Sequence, residues 1–264
     1  MKVIIAAALA VTAIASPASA EQFSTVWTFK RVTADIPTSA EVGKIFFEQR
    51  VLPYRLVRLD QMLPIGKDKQ LAAGTLLYMV MDKTNRMAFC TFKDSSAGNA
   101  AKSLFIPALD TRPCLVDDNG DGQFEKMFSV FDLYGSVAPT PKGDIQRAKA
   151  ISPVAYSEAN PTDAPTDYRL SFQIGTKSKG TVPELRFIFG GKNISQTSAY
   201  PTGKDAHGFF AKPFNFTVKM KLLNSKNAEI AMAPNGDEVM VVLSDNYQLM
   251  KPDEFPKPLF AKKQ

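Results

Sequence analysis

The chain of 264 residues contains one histidine, one tryptophan and two cysteines. A single histidine excludes zinc sites built from two or three histidines, and two cysteines joined to each other leave no thiolates to replace them. A serine–histidine–aspartate triad would have to use His207, for which the surrounding sequence, Thr202 to Phe209, predicts a loop. No Gly-x-Ser-x-Gly motif and no GxxxxGK[ST] phosphate loop occur. Most nucleophile, zinc and nucleotide chemistry is therefore excluded.

Long apolar runs are also absent after the amino terminus. The longest, Leu71 to Met81, is far shorter than the roughly 20 residues that a membrane-spanning helix needs. Residues 1–20 instead combine one lysine, an apolar run from Val3 to Ala15 and the sequence Ala18-Ser19-Ala20. This pattern predicts a secretory signal peptide that is cleaved before Glu21. We expect an exported protein, periplasmic or extracellular, without a membrane span.

Export would place both cysteines in an oxidising compartment, where Cys90 and Cys114 are expected to form a disulfide. The closed loop has 114 − 90 = 24 positions between its ends. In the chain-entropy model such a loop contributes about 3 kcal/mol. The alternative, a catalytic thiol, requires a nearby base, and His207 is the only histidine available.

The charge balance argues against nucleic-acid binding. Lysine and arginine number 32 against 26 aspartates and glutamates, for a formal net charge of +6. The basic residues are scattered, and no basic stretch is interleaved with stacking aromatics. The modest positive charge favours anionic surfaces only weakly. We expect the partner to be another envelope protein or an anionic cell-surface polymer.

Short runs of β-branched and aromatic residues, separated by glycine, proline, asparagine and aspartate, dominate the mature chain and are typical of strands and turns. No long segment keeps a helical period. The sequence therefore predicts an all-β protein, an antiparallel β-sandwich or a partly closed barrel with long proline-rich loops. The predicted strands are Thr25–Thr33, Lys44–Val51, Thr75–Met81, Met87–Phe92, Phe124–Phe131, Tyr168–Ile174, Glu184–Phe189, Phe214–Leu222 and Glu238–Leu243.

Proline-rich stretches suggest how the chain is divided. Gly135–Gly143 and Ser157–Asp167 carry two prolines each, and proline cannot donate to a strand ladder. We predict a mostly-β domain over residues 21–250, either one unit or two β units that meet near residues 135–145. Residues 251–264 form an extended arm rich in proline and lysine. The arm either packs on the surface through Phe255, Leu259 and Phe260 or docks onto another chain.

The stretch CLVDDNGDGQF, from Cys114 to Phe124, crowds oxygen-bearing side chains as a hard cation requires. It resembles the first part of the EF-hand calcium loop, in which the first, third, fifth, seventh and ninth places supply ligands. The candidate metal-binding residues at these places are Asp117, Asn119, Asp121, Gln123 and Glu125.

The resemblance ends after the ninth place. The twelfth place is Phe128 instead of a bidentate glutamate, so we expect a calcium ion to bind only weakly, with a dissociation constant no lower than about 10⁻⁴ M. Asn119-Gly120 between two apolar runs is also a good hairpin turn signal that needs no metal. A turn alone and a turn with a weak calcium site both remain open.

Two functions from different classes fit these features. The first is an exported, non-catalytic binding or structural module of the cell envelope or of the secreted proteins. The alternative is an enzyme that uses a pair of carboxylates on a polysaccharide, for which 26 acidic residues provide material. Sugar-binding clefts are usually lined with aromatic side chains, and Trp27 is the only tryptophan. No catalytic residue can be assigned from the sequence.

Overall fold

A computed structural model describes residues 20–29, 39–67, 69–92, 111–131, 140–177, 182–189, 192–198, 200–203, 206–211, 216–223, 226–232, 238–243, 246–250 and 253–256. Nearly all of the ordered elements are strands, and every strand pairing in these ranges is antiparallel. The predicted all-β class is confirmed. The predicted signal peptide lies outside the described residues, except for Ala20.

The strands are short and are numbered in chain order. They are β1 (Glu21–Gln22), β2 (Ser24–Phe29), β3 (Ser39–Glu41), β4 (Ile45–Arg50), β5 (Leu52–Pro53), β6 (Leu56–Leu59), β7 (Leu63–Pro64), β8 (Gln70–Leu71), β9 (Leu76–Met81), β10 (Met87–Thr91), β11 (Thr111–Val116), β12 (Gln123–Phe131), β13 (Lys142–Gly143), β14 (Lys149–Glu158), β15 (Arg169–Lys177), β16 (Val182–Phe189), β17 (Lys192–Ser198), β18 (Tyr200–Gly203), β19 (Ala206–Ala211), β20 (Phe216–Leu222), β21 (Asn227–Met232), β22 (Glu238–Leu243) and β23 (Asn246–Met250). Within the described ranges, the 3₁₀ turns Ile145–Arg147 and Pro161–Asp163 lie between strands.

Six strands of the largest sheet form a closed circuit of pairings. β9 pairs with β10, β10 with β11, β11 with β12, β12 with β14, β14 with β6, and β6 with β9 again. Other strands of the same sheet, such as β2, β22 and β23, extend beyond this ring. The partly closed barrel, one of the two predicted architectures, is therefore present.

The interior of the ring is filled by one apolar cluster to which all six strands contribute. Directly paired residues such as Met79 and Phe89, or Phe124 and Val154, share this inner face. Its buried members from the ring are Val57, Leu59, Leu77, Met79, Met81, Met87, Phe89, Leu115, Phe124 and Val154.

The outer face of the same strands carries a second apolar cluster, which includes the two cysteines. Cys90 and Cys114 lie directly opposite each other on β10 and β11, and both are fully buried. They form the predicted disulfide. Phe23 and Ile145, which lie outside the ring strands, belong to the same cluster, so the disulfide joins two ring strands within a buried apolar core.

The remaining strands form smaller sheets. A four-stranded sheet has the order β17-β16-β15-β4, a five-stranded sheet has the order β18-β19-β20-β21-β3, and β7 pairs with β8. His207 lies within β19, opposite Pro201 on one side and Met220 on the other. The predicted loop from Thr202 to Phe209 is therefore wrong for its described residues, because β18 extends to Gly203 and β19 begins at Ala206.

The proline-rich regions are described only in part. β14 ends at Glu158, and the stretch that follows contains the 3₁₀ turn Pro161–Asp163, whereas residues 132–139 lie outside the described ranges. Whether residues 21–250 form one unit or two stays a prediction.

In the arm, Phe255 is buried against the inner cluster, with its ring centroid 5.1 Å from that of Tyr54. Leu259 and Phe260 lie outside the described residues. Among the described residues no helix is long and apolar enough to cross a membrane.

Candidate cation-binding loop

The acidic loop predicted from the sequence joins two neighbouring ring strands. β11 ends at Val116 and β12 begins at Gln123, so the loop occupies residues 117–122 at one end of the ring. Gly120 and Gly122 have φ values of 73° and 89°. These backbone conformations strongly favour glycine, and they allow the chain to reverse within six residues.

Asp117 holds the loop together from its centre. Its side chain is buried, and its two carboxylate oxygens accept three hydrogen bonds. The Gly120 amide donates to Oδ1 at 2.6 Å, and the Gly122 amide and the Tyr156 hydroxyl donate to Oδ2 at 3.0 and 2.8 Å. Hydrogen bonds to an ionised acceptor are the stronger kind, so the turn is well formed by its own contacts.

Asn119 and Asp121 form the exposed tip of the loop. The Asp121 amide donates to Asn119 Oδ1 at 2.8 Å, and the Gln123 amide donates to Asp121 Oδ1 at 2.8 Å. The Asn119 side-chain amide donates to Asp121 Oδ2 at 3.1 Å. In each case the side-chain oxygen accepts a hydrogen bond from the backbone amide two residues later, which is the usual role of asparagine and aspartate in turns.

Glu125 lies beside the loop at an irregularity of β12, where the pairing of Val116 with Lys126 places it next to Asp117 across the β11–β12 hairpin. The register between β12 and β14 shifts between Phe124 and Lys126. Phe124 belongs to the inner cluster and Met127 packs against it, so two residues separate inward-facing positions where a regular strand has one. Glu125 Oε2 accepts a hydrogen bond from the Asp118 amide at 3.1 Å, and the Lys126 ammonium lies 2.5 Å from Asp118 Oδ2.

Three carboxylates converge as a result. One oxygen each of Asp117, Asp121 and Glu125 lies within 4.8 Å of the other two. Glu125 Oε1 is buried and has no hydrogen-bond partner among the described residues. Burial, followed by the negative charges of Asp117 and Asp121, raises the pKa of Glu125 above its ordinary value. This cluster of hard oxygen ligands has the composition of a site that could hold a metal ion.

The structure thus brings together three of the five residues predicted to bind metal. The other two, Asn119 and Gln123, contribute to the same loop through its turn hydrogen bonds and add no carboxylate. Glu125, at the ninth place, approaches the cluster across the β11–β12 hairpin, in which Val116 pairs with Lys126.

Tyr156 of β14, which the sequence did not single out, supports the loop. The Tyr156 ring stacks on Phe124 with centroids 4.2 Å apart, and its hydroxyl reaches Asp117. Burial, and next the hydrogen bond to Asp117, raise the pKa of Tyr156 above its ordinary value. Arg55 lies over the Phe89 ring and forms an ion pair with Glu158. Because Tyr156 lies 39 positions from Asp117 in sequence, no local motif could predict their contact.

A small cleft of about 90 Å³ lies beside the loop. It is lined by Arg86, Asp118, Lys126 and Gln146 together with three apolar residues. The two positively charged side chains of the cleft each form an ion pair: Lys126 pairs with Asp118, and Arg86 pairs with Asp82 at 2.7 Å. Pockets for small organic ligands usually have 300–1,000 Å³, so this cleft fits water or an ion rather than a substrate.

Comparison with known proteins adds no assignment: the chain matches no protein-family model, and no curated protein or solved structure is significantly similar to it.

Proposed function

We propose that this chain is an exported, non-catalytic β-protein, either of the cell envelope or secreted, that serves as a binding or structural module. We further propose that its acidic loop binds a calcium ion weakly. The convergence of Asp117, Asp121 and Glu125, with one buried glutamate oxygen that has no hydrogen-bond partner in the described part of the chain, is the observation that carries this proposal. A bound cation would satisfy that oxygen and relieve the repulsion among three carboxylates.

Calcium is the cation that suits this chemistry best. The cluster offers only oxygen, the ligand type that calcium prefers, and it lies on a turn whose backbone is already in place. Asp117 need not give up its three hydrogen bonds, because an ionised carboxylate has about four acceptor sites. The bidentate glutamate of the twelfth place is missing, which supports a dissociation constant of about 10⁻⁴ M, as in extracellular calcium modules.

The described residues support a binding or structural module better than they support the alternative, an enzyme that uses a pair of carboxylates on a polysaccharide. Glycoside cleavage places two carboxyl groups on either side of the bond that breaks. The acidic cluster instead gathers three carboxylates within 4.8 Å of one another, in the loop between β11 and β12 and at the start of β12. We infer that the partner is another envelope protein or an anionic cell-surface polymer, which calcium could bridge to the loop.

Thermal unfolding with calcium or with a chelator tests the cation. In millimolar calcium the wild-type free energy of unfolding should rise by roughly 1–2 kcal/mol, from RT ln(1 + [L]/Kd). Asp121→Ala should lose this gain, because it removes one ligand from the exposed tip. Asp253→Ala, at an exposed aspartate near the carboxyl terminus, is the matched control and should keep the gain. Equal midpoints in calcium and in chelator would reduce the loop to a turn.

Export is tested separately. Expression in a secretion-competent bacterial host should yield a protein whose intact mass corresponds to a chain that begins at Glu21, recovered outside the cytoplasm. Retention of residues 1–20 in a cytoplasmic protein would remove the export half of the proposal and leave the calcium half untouched.

A further inference from the structure

The Asn119-Gly120 pair at the tip of the acidic loop has a reactivity of its own. Asn119 is exposed, and Gly120 follows it with a φ of 73°. When glycine follows asparagine, no side chain shields the backbone nitrogen, which can attack the preceding carboxamide carbon. The pair therefore combines accessibility to water with the least hindered sequence for this attack.

The folded loop restrains the same atoms. The Gly120 nitrogen, the nucleophile in such an attack, donates its hydrogen to Asp117 Oδ1 at 2.6 Å. The Asn119 carboxamide is held on its other side, since its oxygen accepts from the Asp121 amide and its nitrogen donates to Asp121 Oδ2. Attack requires the Gly120 nitrogen to leave Asp117 and the carboxamide to turn away from Asp121.

We propose that Asn119 is a site of spontaneous deamidation and that the hydrogen bond from Gly120 to Asp117 sets its rate. The Gly120 nitrogen loses its proton to water and bonds to the Asn119 side-chain carbon, and ammonia leaves with a proton from solvent. The cyclic imide that results is opened by one water molecule. Attack of water at the side-chain carbonyl gives aspartate, and attack at the backbone carbonyl gives isoaspartate, whose backbone is longer by one carbon.

Either product changes the charge of the loop. Residues 117–125 carry four carboxylates, from Asp117, Asp118, Asp121 and Glu125, and the reaction adds a fifth. The aspartate product keeps the backbone of the turn, whereas the isoaspartate product disrupts the spacing on which the hydrogen bonds of Asp117 depend. Deamidation thus alters this loop with the age of the protein.

Site-resolved mass spectrometry of the whole folded protein, incubated at neutral pH, tests the proposal. Asp117→Ala should accelerate conversion at residue 119 on the order of tenfold or more, the factor that corresponds to one hydrogen bond to a charged group. Tyr156→Phe, which loosens Asp117 without changing the loop, should give an intermediate rate. It keeps the test meaningful if Asp117→Ala fails to fold.

Two controls are contained in the same chain. Wild type unfolded in urea gives the unrestrained rate. Asn160 also caps a turn, by accepting from the Thr162 amide, but Pro161 follows it and has no N–H to react, so Asn160 should stay unmodified. Equal rates in folded wild type and in both variants would overturn the proposal. So would the absence of any product at Asn119 in folded wild type after the unfolded chain has converted completely.

Discussion

At the scale of single residues, Asp117 is the group on which the acidic loop depends. Its carboxylate is buried at one end of the ring and accepts hydrogen bonds from two loop amides and from the Tyr156 hydroxyl. The contact with Tyr156 ties the loop to β14, on the other side of β12. The loop is therefore stabilised both by its own turn and by a residue from a different strand.

Tyr156→Phe should remove only the link to β14, because the ring can keep its stacking on Phe124. We expect the free energy of unfolding to fall by about 1–3 kcal/mol, as for a lost hydrogen bond to a charged group. Urea unfolding of the calcium-free protein measures it. Tyr54→Phe is the control, since the described residues provide no hydrogen bond for the Tyr54 hydroxyl. A loss for Tyr156→Phe no larger than for Tyr54→Phe would show that the contact contributes nothing.

Asp82 gives the clearest pH dependence. Its side chain is 2% exposed and lies in the turn between β9 and β10. Burial opposes its ionisation, but hydrogen bonds from Thr84 and Arg86 outweigh this effect and lower the pKa of Asp82. A carboxyl whose folded pKa is lowered stabilises the fold above its unfolded pKa of about 3.9, and this contribution is lost as the pH falls through the folded pKa.

Asp82→Asn should therefore cost about 1.5–3 kcal/mol at neutral pH, the range for hydrogen bonds to a charged group. The difference from wild type should shrink as the pH is lowered below about 4. Chemical unfolding across this range measures both. The exposed Asp60→Asn is the control and should cost less. A difference between wild type and Asp82→Asn that persists unchanged into acid would contradict the assignment.

The candidate site was predictable only as far as it is local. The spacing of Asp117, Asn119 and Asp121 with two glycines indicates a tight acidic turn. The approach of Glu125 depends on the register of the β11–β12 hairpin, and the support from Tyr156 depends on the position of β14 beside β12. Neither follows from the spacing of the loop residues alone, which is why the sequence left both a bare turn and a turn with a weak cation site open.

At the scale of elements, strands were predictable where apolar residues are concentrated and were missed where they are not. All nine predicted runs contain strands, including β9, β10 and β12. β14 was missed, because it carries Pro153 and several polar or small residues and was not recognised as a partner of β12 and β6. The register shift opposite Glu125 accommodates this proline, since bulges are places where a strand tolerates one.

β13 is a short element whose position requires glycine. Gly143 lies between Glu21 of β1 and Val130 of β12. A Cβ atom there would approach Val130 Cγ1 to 2.7 Å and the Ser129 carbonyl oxygen to 3.0 Å. These distances are too short for ordinary packing, and the backbone oxygen cannot rotate away.

Gly143→Ala should therefore destabilise the protein by about 1–3 kcal/mol, the usual cost of overpacking. Gly66→Ala is the matched control, because its nearest neighbour, Lys69 Cβ, is 3.9 Å from the added methyl. Thermal or urea unfolding of the two variants checks the contrast. Equal stability would show that β13 can move away from β12 at no cost.

At the scale of the whole molecule, the ring is closed by hydrogen bonds all round and by one covalent link. The disulfide joins β10 to β11 on the outer face, with a sequence separation of 24. Antiparallel rings rely on contacts between distant parts of the chain, which cost loop entropy before they form. The disulfide reduces that cost in the unfolded chain.

Cys90→Ala combined with Cys114→Ala should lower the free energy of unfolding by about 3 kcal/mol, the chain-entropy value for this loop length, with some further loss from the buried sulfur atoms. Unfolding of the variant against oxidised wild type measures it. Thiol titration of denatured wild type without reductant should find no free thiol. Two reactive thiols, or a variant as stable as wild type, would contradict the role of the disulfide.

The calcium loop is the central claim, and isothermal titration of calcium into the protein, with Glu125→Gln beside wild type, tests it most directly. Wild type should bind one calcium ion per chain with a dissociation constant on the order of 10⁻⁴ M. Glu125→Gln should bind at least about tenfold more weakly. Without calcium it should be no less stable than wild type, and more stable by roughly 0.5 kcal/mol, because one of three mutually repelling carboxylates is gone. Absence of binding by wild type at millimolar calcium, or unchanged binding by Glu125→Gln, would contradict the account.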